Sequence, residues 1–197
     1  MNKVYGWVMV LASVFFTACT MPETKIYSLY VPVDQVQLKS GGDESIIILL
    51  KSARHLSQPY IASRNSPYRI DISKYARWDS APGKMINEKF HEFLRATGLF
   101  KEVRTGSRII PEGFYAFEIT LESFERIDDS NGYFGELVFD ARLLSPGGDQ
   151  LYSAAISKKV RLRSSDNLDL AKGLSVALEE GIREVMNGIA GLITPVY

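Results

Sequence analysis

The chain has 197 residues, 46% of them hydrophobic, with 23 basic and 23 acidic side chains and one cysteine. That length can bury one core without staples, and the balanced charge excludes a general electrostatic pull on nucleic acid or anionic lipid. A single cysteine excludes an internal disulfide.

The chain opens on Lys3 and the free amine, followed by an almost unbroken apolar run from Val4 to Phe16. A charged start, roughly 7–15 apolar residues and a small-residue end describe an export signal. The run is shorter than the roughly 18 residues a spanning helix needs. It ends in Phe16-Thr17-Ala18-Cys19. That stretch resembles a bacterial lipobox, with Phe where Leu is commoner. The resemblance implies acylation of the Cys19 sulfur, cleavage before Cys19 and acylation of the new amine. Thr20 at the next position implies outer-membrane delivery, on the periplasmic face. A plain signal peptide with a free thiol, or a cytosolic protein with an apolar start, are the alternatives. The expected division is residues 1–18 as leader, 19–25 as lipidated link and 26–193 as one domain.

Lys25 to Val31 alternates, with Ile26, Ser28 and Tyr30 on one side and Tyr27, Leu29 and Val31 on the other. It predicts a strand. Pro32 to Ser45 predicts a loop. Ile46 to Leu50 is continuously apolar, which suits a strand covered on both faces. Pro59–Arg64 leads into a short alternating strand over Tyr68–Ile72, with a turn at Asn65-Ser66-Pro67. Asp79 or Ser80 is the expected cap of a helix running to Thr97, whose stripe is Ile86, Phe90, Phe93, Leu94 and Thr97. Gly98 is placed to end it, and a strand over Phe100–Val103 follows.

Phe114 to Arg163 predicts three antiparallel strands. Pairing Ile127 with Tyr133 sets Leu121 against Phe139, Ile119 against Ala141, Phe117 against Leu143 and Glu118 against Arg142. Pairing Ser145 with Gln150 sets Leu143 against Tyr152, Ala141 against Ala154 and Phe139 against Ile156. Both hairpins turn the same residues of the middle strand inward, as one register requires. After the cap cluster Ser164-Ser165-Asp166, a helix is expected from Asn167 to about Leu192. Its stripe is Leu170, Leu174, Ala177, Leu178, Ile182, Val185, Ile189 and Leu192. Its glycines, 173, 181, 188 and 191, each cost about 1 kcal/mol relative to Ala, which close packing would offset. These elements make a mixed α+β fold: a mixed sheet with a C-terminal three-strand meander and two main helices packed on it.

Catalytic and metal motifs are missing from the sequence. His91-Glu92 opens like a zinc-protease helix, but Arg95 stands where the second histidine belongs. His91 reads as solvated. The acidic pairs Asp128-Asp129 and Glu179-Glu180 read as a turn and a wet helix face. Neither a cofactor nor a metal is expected, and the chain reads as no enzyme. Lys158-Lys159-Val160-Arg161-Leu162-Arg163 is the one basic stretch. A solvent face that discourages edge pairing stands beside phosphate or partner contact.

Tyr27-Ser28-Leu29, Pro59-Tyr60-Ile61, Ser63-Arg64 and Ala76-Arg77-Trp78-Asp79, in this order behind an export cysteine, resemble the auxiliary lipoprotein family of ABC-type transport systems. That family includes the outer-membrane lipoprotein of the paraquat-inducible, MCE-type lipid-transport system. The pattern departs at Asp79-Ser80-Ala81-Pro82, where the family tends to carry a small-acidic pair. The resemblance implies a non-catalytic accessory lipoprotein that docks a transport assembly at the outer membrane. Its implied partners are the membrane through Cys19, an MCE-domain or ABC-transporter component, and phospholipid, with no nucleic acid. It makes Tyr60, Arg64, Tyr68, Arg77 and Trp78 candidates for a partner surface, against the alternative that Trp78 and the tyrosines pack beneath the first helix, with Arg77 pairing locally. A periplasmic lipoprotein carrying a lipid or other apolar ligand, and an envelope-assembly lipoprotein, are the competing functions.

Overall fold

The computed structural model describes residues 22–33, 42–106 and 109–193. The leader, Cys19 and most of the loop expected after Pro32 lie outside them. The strands are β1 (Lys25–Tyr27), β2 (Ser45–Ser52), β3 (Tyr60–Ser66), β4 (Arg69–Trp78), β5 (Glu102–Gly106), β6 (Phe114–Asp129), β7 (Gly132–Leu144) and β8 (Gln150–Arg161). The helices are α1 (Pro82–Thr97) and α2 (Asn167–Ile193), and Arg54–Ser57 forms one 3-10 turn.

The long strand β6 joins two halves of one mixed sheet. One edge pairs antiparallel with β7, which pairs antiparallel with β8. The other edge is shared. Its first part runs parallel to β2, and Arg126 and Ile127 near its end run parallel to β3. Beyond β2 lies parallel β5; beyond β3 lie antiparallel β4 and parallel β1. In β2, Ile46, Ile47 and Ile48 are all buried, as the unbroken apolar run implied.

The expected cross-strand partners in the meander's middle are present: Leu121 with Phe139, Phe139 with Ile156, and Glu118 with Arg142. Glu118 and Arg142 form an ion pair at 2.9 Å. The turn ends differ by one residue. Asp128, not Ile127, pairs with Tyr133, because the register shifts between Leu121 and Ser123. Likewise Leu144, not Ser145, pairs with Gln150. The extra residue in β6 is Glu122, a bulge that bends a strand and changes which parity faces inward.

Both helices cover one face. The Phe90 ring of α1 lies 5.4 Å from that of Phe117 and 5.6 Å from that of Phe139. Gly181 of α2 comes close to the same Phe139 and to Ile156. Phe117, Phe139, Phe90, Ile156 and Ile182 are all buried in this layer. Helix α1 starts differently from the expectation. Ala81 is its N-cap, with no side-chain cap, because Pro82 at the first position needs no donor partner. Gly98 closes it at φ 64°, a conformation glycine adopts without strain. Asp166 Oδ1 accepts the Leu168 N–H at 3.2 Å, capping α2 as expected. Leu192 is exposed rather than part of the buried stripe. Strand β5 begins two residues later than expected, and Phe100 is buried ahead of it.

The helix glycines divide by environment. A Cβ on Gly181 would meet the Phe139 ring at 3.1 Å and Ile156 at 3.2 Å, whereas one on Gly191 would meet nothing within 4 Å. Phe139 cannot give, since Phe90 holds its ring. Overpacking costs about 1–3 kcal/mol, against a helix gain of about 1 kcal/mol. Gly181→Ala is therefore expected to lower the thermal midpoint and Gly191→Ala to raise it. Shifts of the same sign would contradict this packing.

Candidate docking surface

Strands β1, β4 and β3 form one end of the sheet. Their faces follow from alternation. Ala76 and Trp78 point inward and are buried, so Arg77 points outward. Parallel β1 sets Ile26 beside Arg77 and Tyr27 beside Trp78. On the other side of β4, Tyr60 is the partner of Arg77. Ile26, Arg77 and Tyr60 thus lie in one line across three strands, on the outer face. All three are exposed, Tyr60 by 46%. The β3–β4 register shifts between Tyr60 and Ala62, which becomes the partner of Ile72. Ile72 is 41% exposed. Together with Arg54, His55 and Gln58 around the 3-10 turn, Tyr60 and Ile72 line an open concavity of about 470 Å³. None of its lining residues is acidic. Neither Arg54 nor Arg77 makes an ion pair with another described residue.

The five sequence candidates are not gathered into one site. Only Tyr60 and Arg77 are surface neighbours. Trp78 is 1% exposed and packs against Phe124, the rings tilted by 56° with centroids 5.3 Å apart, so it belongs to the core and offers no partner surface. Tyr68 is 96% exposed but stands at the far tip of the β3–β4 hairpin. Arg64 is turned to the fold: its Nε donates to Glu125 Oε1 at 3.0 Å and its Nη1 to Pro67 O at 3.1 Å. Arg54, His55 and Gln58 escaped the sequence reading, because a single 3-10 turn carries no periodicity to detect. Ile72 lies in an expected strand, but its place beside Tyr60 follows from the irregular β3–β4 register, which alternation does not reveal.

The first strand keeps its expected alternation through Val31, with Tyr27, Leu29 and Val31 against the core and Ile26 and Tyr30 outside. Its ladder stops at Tyr27, because β4 ends at Trp78. Farther along, the Tyr30 N–H donates to Ser175 Oγ of α2 at 3.1 Å. The basic stretch on β8 is largely engaged. Lys158 reaches Glu184 at 2.7 Å, Lys159 reaches Asp129 at 3.3 Å, and Lys159 and Arg161 lie over the Phe134 ring. The Asn131 backbone N–H, accepted by Asp129, and the Lys159 ammonium hold the Asp129 carboxyl below the usual carboxylate range. His91 is not simply solvated: its Nε2 lies 3.2 Å from Val103 O and joins α1 to β5. Among the described residues, no group of three or more His, Cys, Asp or Glu could hold a metal ion. No described helix is long and apolar enough to cross a membrane.

No family model matches the sequence, and no curated protein matches it. Solved structures do resemble it. The protein XCC0632 from Xanthomonas campestris, described under the family DUF330, has TM-score 0.68 and 18% identity, over 85% of this chain and 97% of that chain. A protein described as uncharacterized has TM-score 0.62 and 13% identity, over 85% and 99%. The fold is therefore shared with that DUF330 protein over 85% of this chain.

Proposed function

We propose that the chain belongs to the auxiliary lipoprotein family of ABC-type transport systems and acts as a non-catalytic, lipid-anchored accessory component. It is tethered through Cys19 to the periplasmic face of the outer membrane, where it docks an MCE-type assembly for lipid transport across the periplasm. The observation that carries this reading is the export run closing on Phe16-Thr17-Ala18-Cys19, placed directly ahead of a folded body. The body's interior favours docking over carriage. A carrier encloses roughly 300–1,000 Å³ for its ligand, whereas the concavity of about 470 Å³ beside Tyr60 and an apolar cleft of about 520 Å³ between Tyr30 and Leu168 both lie open to solvent. Here Phe90, Phe117, Phe139, Trp78 and Phe124 interlock between helices and sheet, each at most 1% exposed. The fold shared with DUF330 proteins is compatible with this assignment.

Affinity purification of the full-length protein from native membranes provides the test. An MCE-domain protein or ABC-transporter component is expected to co-purify, identified by mass spectrometry. Recovery of the protein with membrane lipid alone would count against the docking role.

A further inference from the structure

We propose that the outer face formed by Ile26, Arg77, Tyr60 and Ile72, with Arg54 at its border, lies against the lipid headgroups of the membrane that holds the anchor. The inference rests on Cys19 being acylated, and it adds which side of the body meets the bilayer.

Three observations converge. The first is reach. Ile26 is seven residues after Cys19, so even a fully extended chain separates them by only about 25 Å. The strand that carries the tether also carries one residue of the patch. The second is composition. Ile26, Tyr60 and Ile72 are large apolar side chains left 57%, 46% and 41% exposed. Aromatic rings with a polar tip favour the membrane–water interface, and aliphatic side chains bury favourably just beneath it. The third is charge. Arg77 stands between Ile26 and Tyr60, and Arg54 lines the adjoining concavity, none of whose lining residues is acidic. Neither guanidinium has an ion-pair partner among the described residues. A guanidinium matches a phosphate with paired donors, and cations close to an anionic surface are drawn to it. Trp78, directly behind this face, is sealed in the core, so the patch is a surface of the fold and not an opening into it.

The test uses the acylated, leader-free protein in vesicles of phosphatidylcholine and phosphatidylglycerol with brominated acyl chains. Trp7 leaves with the leader, so Trp78 is the one native indole, and it is buried. Ile26→Trp and Tyr60→Trp place reporters in the patch. Leu151→Trp places one on β8, at the opposite end of the sheet. The added emission at positions 26 and 60 is expected to be quenched by bromine, and that at 151 to persist. Arg54→Glu with Arg77→Glu is expected to restore the emission at position 26 while the protein still floats with the vesicles. Equal quenching at all three positions overturns the inference. So does absence of quenching in protein that floats. Protein that fails to float overturns the anchoring reading itself, which separates the two failures.

Discussion

Arg64→Ala is expected to lower the unfolding free energy by about 3 kcal/mol, because it strips the counter-charge from a buried carboxylate. Glu125 is 3% exposed, and its Oε1 accepts from Arg64 Nε at 3.0 Å. Its surroundings offer little replacement. Glu136 stands directly opposite on β7, a like charge that destabilises such a pair. Ser123 Oγ lies 3.3 Å from Glu125 Oε1 and 3.2 Å from Glu136 Oε2, and its single proton can serve only one of them. Glu125 Oε2 already lacks a partner. Removing both charges is a different matter, since a buried ion pair replaced by apolar groups is often neutral or stabilising. Arg64→Met with Glu125→Leu should therefore recover most of the loss. Urea unfolding of the wild type, the single and the double variant checks this. A double variant as unstable as the single one would mean that Arg64 acts through packing, not through its charge.

The meander shows what alternation reveals and where it stops. Phe117, Ile119 and Leu121 alternate on odd positions, which fixed their partners Leu143, Ala141 and Phe139. The next inward residue is Phe124, on an even position. That change of parity was a visible trace of the bulge at Glu122, and the turn residues shift by one because of it. At the docking surface, local pattern carried less. The parity of β4 separates exposed Arg77 from buried Trp78, yet fixing that parity needed the full extent of the strand. Residues beyond Ile72 continue β4 to Trp78 past an irregular register with β3, which no short alternating run announces. Arg64 and Arg77 look alike in the sequence. They differ because Arg64 falls beside β6 and its Glu125, a contact between residues 61 positions apart. Helix caps were legible where a side chain does the capping, as at Asp166, and not at Ala81, where proline at the first helical position removes the need.

Cys19→Ala is expected to abolish fatty-acid incorporation altogether, and this is the largest effect any single substitution here should have on where the protein resides. A thiolate is the side-chain nucleophile suited to accept a diacylglyceryl group, and alanine has no atom that can. Each buried methylene contributes about 0.8 kcal/mol, and stable anchoring takes at least two membrane signals. A product carrying three acyl chains would not leave the bilayer, whereas the variant would retain only its leader, an apolar run too short to span. Cells fed an alkyne fatty acid should yield labelled wild-type protein in the outer-membrane fraction. The variant should be unlabelled, of higher apparent mass because cleavage before position 19 follows acylation, and absent from that fraction. Label of equal intensity on the variant would place the lipid elsewhere. A free sulfhydryl on the wild-type product would remove the tether from which both the docking role and the lipid-facing patch follow.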